Sequence, residues 1–382
     1  MAVIAVKPEL LVWAREYRGL TLPEAAKKLS MSESDLAGLE GGSKPLTLTY
    51  FRRISGRYRI PGATLLRRTP PPTPPLPKDF RTIGGKQPRI GFEARLAISY
   101  ARTIEQNILE LVEADAAPPL PSLAKVSLDD DPAEAGERER SRLGVSVATQ
   151  LVWRSTEAFN NWRAVIEKTG AYVVMQKYDL EDCRGFTLYE NPNAPIIVLN
   201  KAEDYAPARI YTLIHEYCHL LLREPGISDV YARTPVEVFC NRFAAGFLIP
   251  RSALRDILPS WPNTPVDWEH EVVSDWARKL KVSTQALALR LEELSLAPAG
   301  YYRRFAQGQR IVPRTEEGGG NYVLTQVSEM GMGYLSAVFR AMDKGTIQAG
   351  EAADMTHLSP RHFGSVRTQI DQRLGRPFVV SH

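Results

Sequence analysis

The apolar positions near the start of the chain fall into short helical runs. Leu10, Leu11, Ala14 and Tyr17 recur at the three-and-four spacing of one helix face, and Gly19 closes that run. Thr21 stands where a cap belongs, with Pro23 in the next first turn and Glu24 three residues on; Leu22, Ala25, Ala26 and Leu29 form the apolar face. Ser32 or Ser34 opens a third helix that runs to Glu40 and stops at Gly41-Gly42. Thr47 opens a fourth, with Leu48, Phe51 and Ile54. A short helix ending at Leu29 and another starting near Glu33 make a helix-turn-helix pattern. Leu96, Ile98, Ala101, Ile104, Ile108, Leu109 and Val112 give a longer amphipathic helix from Glu93 to about Glu113.

Further on, the pattern mixes periods. A helix is predicted around 156–169, ended by Gly170. Short apolar or alternating stretches rich in β-branched residues predict strands at 172–175, 185–189 and 196–200. Helices are predicted at about 208–222, 235–248, 269–280 and 283–296, then at 331–343 and 348–355, with Ser359 capping a last one to Arg373. Between these runs lie the breaks. Pro70-Pro71-Pro72-Thr73-Pro74-Pro75-Leu76-Pro77 forbids helix and favours polyproline II, a spacer of roughly 25 Å at ~3.1 Å per residue. The Pro- and acid-rich stretch 117–140, centred on Asp129-Asp130-Asp131, reads as a flexible loop, and Gly318-Gly319-Gly320 as another. The fold class is therefore α+β and mostly helical. Its predicted parts are a helical bundle at 1–69, a Pro-rich linker at 70–92, a helix and acidic loop at 93–140, a compact unit with a small sheet at 141–298, and a mostly helical region at 299–382.

Composition narrows the class. The chain has 382 residues, 44% of them apolar and 24% charged, enough to bury two or three cores. No apolar run is long enough to span a bilayer, and the first residues do not read as a signal peptide. Three cysteines without tight spacing, Cys183, Cys218 and Cys240, point to a reducing, cytoplasmic setting and not to a disulfide framework. The net charge of +4 is uneven: residues 1–70 hold twelve basic and six acidic side chains. Arg52, Arg53 and Arg57 belong to a run of arginines that faces no acid, a pattern that fits phosphate contact or a solvated surface.

The chemistry sits in Tyr211-Thr-Leu-Ile-His-Glu-Tyr-Cys-His-Leu-Leu-Leu222. On a helix, His215 and His219 project from one face a turn apart, so both imidazoles reach one Zn²⁺ at about 2.0–2.1 Å. Glu216 then stands beside the open coordination position, where a general base takes a proton from attacking water. Leu213, Ile214, Leu220, Leu221 and Leu222 make the helix apolar, and a buried His-Glu-His set needs a compensating partner that a metal supplies. A catalytic zinc takes a third protein ligand. Glu237, at the start of the next apolar helix, is the first candidate; Glu224 and Asp229 in the intervening loop are alternatives. Asn241, one turn beyond Glu237, is placed to hydrogen-bond a ligating histidine. Cys218 and Cys240 read as small core residues.

Stretch 185–250 resembles the ImmA/IrrE family of zinc metallopeptidases. The resemblance is carried by Gly185-Phe186, the Pro195-Ile-Ile-Val-Leu-Asn200 strand, Arg209-Ile-Tyr-Thr-Leu before His215-Glu216-x-x-His219, and Glu237-x-x-Cys-Asn241-x-Phe-Ala244 running to Leu248-Ile-Pro250. It extends over about 150–300. It implies a zincin-like domain at 141–298, Zn²⁺ held by His215, His219 and Glu237, Glu216 as catalytic base, and a regulatory protein such as a repressor as substrate. Residues 8–58 resemble the Xre/Cro-type helix-turn-helix, through Ala25-Ala26 and Leu39-Glu40-x-Gly42. That resemblance implies DNA contact through Ser34, Lys44, Arg52, Arg53 and Arg57, and pairing into a homodimer. Two departures stand out. Tyr217-Cys218 replaces the usual Leu-Gly, and Glu33 and Asp35 sit where base-reading side chains lie. Three functions follow in order: a zinc endopeptidase that cleaves a repressor or other regulatory protein; a DNA-binding transcriptional regulator with a structural or sensory metal; and an antitoxin-like protein-binding module.

Overall fold

The computed structural model of the chain describes residues 3–78, 89–114, 123–227, 234–306 and 322–374. The protein is α+β and mostly helical, with one three-stranded sheet. Contacts divide it into two units, 1–76 with 89–99, and 77–88 with 100–382. No helix among the described residues is long and apolar enough to cross a membrane.

The first unit packs α1 (Pro8–Tyr17), α2 (Leu22–Leu29), α3 (Glu33–Glu40), α4 (Leu48–Tyr58) and α5 (Gly62–Leu65). Its ends are cut as the pattern requires. Gly19 takes φ +68 after α1. Thr21 accepts from the Glu24 amide while the Glu24 carboxylate accepts from the Thr21 amide, a reciprocal cap. Ser32 caps α3 and Thr47 caps α4. The core is Leu11, Ala14, Ala25, Ala26, Leu29, Leu36, Leu39, Ile54 and Tyr58. The Arg18 guanidinium is buried, and it donates to the carbonyls of Tyr58 at 2.8 Å and Arg59 at 2.9 Å, closing the C-terminus of α4. Residues 70–78 of the proline stretch form neither helix nor strand, and Trp13 Nε1 donates to Thr73 Oγ1 at 2.9 Å.

α6 (Phe92–Glu113) begins in the first unit and ends in the second. The second unit continues with α7 (Pro132–Arg142), α8 (Val147–Val152), α9 (Ser155–Glu167), β1 (Tyr172–Gln176), β2 (Gly185–Leu188), β3 (Ile196–Asn200), α10 (Ala206–Leu222) and α11 (Pro235–Leu248). It closes with α12 (Arg251–Ile257), α13 (His270–Leu280), α14 (Thr284–Glu293), α15 (Tyr301–Ala306), α16 (Tyr322–Met330), α17 (Met332–Asp343), α18 (Ala349–Thr356) and α19 (Phe363–Leu374). The strand order is β1-β3-β2; β3 is central, wholly buried, parallel to β1 and antiparallel to β2. α10 packs on α9, on α11 and on the β2–β3 side of the sheet. Trp162 sits at the heart of this core, edge-on to Trp153 at 5.0 Å and against Phe247 at 5.3 Å.

The stretch 117–140 is not a loop through its length. Residues 132–142 form α7, capped by the Asp131 carboxylate at the Glu134 amide, with Pro132 in the first turn. The acids that suggested solvation are the start signal of a helix. Residues 115–122 lie outside the described residues, as do Gly318-Gly319-Gly320. α7 lies against α11 through two glycines: a Cβ on Gly136 would collide with the Phe243 carbonyl, and one on Gly246 with the backbone of Ala133. Arg140 is buried within this joint, with its guanidinium over the Trp162 ring. It donates to the carbonyls of Val145 at 2.9 Å, Ser146 at 3.0 Å and Phe247 at 3.0 Å, and to Gln150 Oε1 at 2.6 Å. Burial pulls its pKa down to about 10.

Candidate metal centre

Two adjacent helices build the centre. α10 is held under the sheet by Ile210, Leu213, Ile214 and Tyr217, all in the main core. That burial fixes the rotation of the helix, so the face carrying His215 and His219 turns toward α11. α11 begins at Thr234, whose hydroxyl accepts from the Glu237 amide at 3.3 Å, with Pro235 in the first turn. The cap sets Glu237 in the first helical turn, pointing at the two imidazoles.

The three side chains are fully buried and converge. His215 Nε2 lies 3.2 Å from His219 Nε2 and 3.1 Å from Glu237 Oε2, and His219 Nε2 lies 3.2 Å from Glu237 Oε1. Ligand atoms around a tetrahedral ion with bonds of about 2.0–2.1 Å are separated by roughly 3.3 Å. The observed separations are the edges of such a tetrahedron. The donors also fit a borderline cation: two imidazole nitrogens and one carboxylate. His219 Nδ1 donates to the Glu224 carbonyl at 3.0 Å, which leaves the Nε2 lone pair facing the centre. Asn241 lies beside His215, and the Tyr211 hydroxyl donates to the Asn241 carbonyl at 2.9 Å, with Oδ1 of the same residue at 3.3 Å.

Electrostatics follow from burial and closeness. Burial pushes His215 down, outweighing the pull of Glu237. Burial also acts to lower His219, but contacts with Cys240, Glu237 and Glu216 outweigh it, and its pKa is raised. Two imidazoles this close titrate as a coupled pair, and each proton bound belongs to the pair with Glu237. Burial pushes the Glu237 carboxyl up, and the two histidines outweigh it and bring it down to about 2.

Glu216 is 1% exposed and follows His215 on the same helix. Its carboxylate abuts the first residue of β2: a Cβ on Gly185 would lie 2.9 Å from Glu216 Cγ and Oε1. A glycine is therefore required where the strand passes over the acid. The outer edge of β2 is itself engaged, since Thr187 N donates to the Gly226 carbonyl at 2.9 Å and Phe186 bridges Ile227, whose amide donates to the Lys78 carbonyl at 2.7 Å.

The remaining sequence candidates separate. Glu224 turns away to Lys78 Nζ at 2.7 Å, and Asp229 lies outside the described residues. Cys218 and Cys240 are fully buried, in contact with each other, and Cys240 also reaches His219. Tyr217, one of the two departures inside the motif, donates to Glu139 Oε1 at 2.6 Å, and Arg142 grips the same carboxylate at 2.6 and 2.7 Å. It thereby ties α10 to α7, a link no local pattern signals. In the first unit, Ser34, Arg52 and Arg57 are exposed, Lys44 pairs with Asp35, and Arg53 donates to the carbonyls of Leu29 at 3.3 Å and Ser30 at 3.4 Å. None of these five is near the metal centre in sequence or shares its unit.

Residues 166–292 match a peptidase family model, M78, described as the IrrE N-terminal-like domain. The match spans β1 to α14 and includes every residue of the centre. No curated protein and no solved structure matches the chain.

Proposed function

We propose that the protein is a zinc-dependent metallo-endopeptidase that cleaves a regulatory protein, a repressor being the favoured substrate, and so controls gene expression. The observation that carries this reading is the buried His215–His219–Glu237 triangle with Glu216 on the same helix. The match of 166–292 to the IrrE N-terminal-like peptidase domain supports it. His215, His219 and Glu237 would hold the ion. When bound, it would supply the Lewis acidity that polarises a peptide carbonyl and eases deprotonation of water. Glu216 takes the proton of the attacking water and delivers it to the departing amine nitrogen. Gly185 keeps that carboxylate against the strand, and the apolar wall of α10 excludes bulk water.

Glu216→Gln tests this directly. The amide keeps the shape and the metal ligands but accepts no proton. In cells that express the chain, new protein N-termini should appear with the wild type and vanish with the variant, while metal content stays equal. Identical N-termini in both strains would sink the reading.

A second reading concerns the first unit. Arg52 and Arg57 are exposed on α4, and few acids lie beside them in sequence. As a transcriptional regulator, the chain would bind DNA phosphates there. Replacing both by Gln should weaken binding to duplex DNA and flatten its log–log salt dependence by about 1–2. Binding with an unaltered salt slope would remove these arginines from any DNA contact.

A further inference from the structure

We infer that the Tyr178 hydroxyl is a donor reserved for substrate, aimed at the carbonyl oxygen that gains negative charge when water adds to the peptide bond. This rests on the peptidase reading above.

The loop between β1 and β2 has a fixed course. Asn200, fully buried at the end of β3, donates through Nδ2 to the carbonyls of Cys183 at 3.0 Å and Asp179 at 3.4 Å. Its Oδ1 accepts from the Tyr178 amide at 3.4 Å. One side chain thus pins the loop at three points. Tyr178 is 3% exposed, and its ring packs against Phe186 at 6.2 Å between centroids. Phe186 follows Gly185, the residue pressed onto Glu216. The phenol therefore belongs to the same wall as the general base.

Its hydroxyl is buried and makes no hydrogen bond to an oxygen or nitrogen among the described residues. Its polar surroundings are the Cys183 thiol, a weak partner, and the carboxylates of Glu216 and Asp182. A buried hydroxyl with no better partner than a thiol recovers little of a desolvation cost of about 1–3 kcal/mol, and phenylalanine would fill the same space without that loss. A group that weakens the fold and is nonetheless present is explained by a partner that arrives later. The partner's chemistry is set by the donor. Burial, with Cys183 and Glu216 adding to it, raises the phenol pKa well above its usual range, so the hydroxyl stays protonated and gives a hydrogen bond. The acceptor that enters beside Glu216 is the substrate carbonyl. A fixed donor at such an oxygen is worth about 10²–10³ in rate in water-excluded sites.

The test is Tyr178→Phe in the full chain, compared with wild type after zinc loading. Three quantities are read: metal content, thermal midpoint, and affinity for acetohydroxamate by calorimetry. Acetohydroxamate places a negatively polarised carbonyl oxygen at a metal and needs no peptide sequence. The expected result is equal zinc, an equal or higher midpoint, and affinity reduced about 10- to 100-fold, as for a lost hydrogen bond to a charged group. Unchanged affinity would overturn the inference alone. A midpoint lowered by several degrees would show that the hydroxyl holds the loop, and would also overturn it. A zinc-loaded wild type that binds no acetohydroxamate would remove the peptidase reading, and the inference with it.

Discussion

Metal-free protein titrated with Zn²⁺ should take up one ion per chain, and its thermal midpoint should rise by roughly 5–10 °C at an ion concentration a thousandfold above the dissociation constant. The stabilisation comes from binding to the folded state only, since His215, His219 and Glu237 converge through packing of α10 on α11. In the metal-free state the raised His219 binds its proton more tightly than an ordinary histidine does. Uptake must displace it, so zinc binding should release about one proton at neutral pH, read by calorimetry in buffers of different ionisation heat. The sign follows from the raised His219. In the metal-free protein its contribution is full below the ordinary histidine value and is lost as pH rises through its folded pKa. Zinc affinity should therefore climb with pH over that range. Glu237 acts oppositely, contributing above the ordinary carboxylate value and losing that only as pH falls to about 2. Glu237→Gln removes the charge and leaves a poorer ligand. Its affinity should fall by more than the roughly 10–100-fold that losing an outer partner costs. Zinc uptake equal to wild type in that variant would exclude Glu237 as a ligand.

The convergence of His215, His219 and Glu237 was legible because these residues lie close in sequence and carry their own signals. His215 and His219 share a helix face by spacing alone, and Thr234-Pro235 before Glu237 is a helix-start signal that also aims the acid. The three strands were legible because their apolar runs are short and β-branched. What stayed hidden depends on contacts between distant residues. Asp129-Asp130-Asp131 reads as solvated until Asp131 is seen capping α7. Arg140 closes the stretch read as a loop, yet it binds Gln150 and the carbonyl of Phe247, residues no local pattern connects. Tyr217 shows in the sequence only as a departure from the usual motif, and it is a link to Glu139. Tyr178 lies in a loop with no period at all. Its meaning comes from an absent partner, which only a three-dimensional inventory of polar atoms reveals.

Gly246→Ala should destabilise the second unit strongly. On helix propensity alone, the change would stabilise α11 by about 1 kcal/mol, because alanine loses less chain freedom than glycine. The structure reverses that sign. The added Cβ would meet the Ala133 carbonyl oxygen, carbonyl carbon and Cα, and backbone atoms inside a helix cannot swing aside as a flexible side chain would. The helices must separate, and the joint between them has little slack. Gly136 faces the Phe243 carbonyl across the same crossing, and Arg140 binds the Phe247 carbonyl from it. Overpacking in cores typically costs 1–3 kcal/mol, and a collision with main chain belongs at or beyond the upper end, about 3 kcal/mol. The consequence reaches the metal, since α11 carries Glu237 and Asn241. Moving its axis by a fraction of an ångström opens the 3.1–3.2 Å triangle on one side. Denaturant melts of Gly246→Ala should show the loss of stability, and zinc titration should show weaker uptake although every ligand is intact. A variant as stable as wild type, with normal zinc affinity, would mean that α7 and α11 are not in backbone contact. The joint between these two helices would then be held by side chains alone.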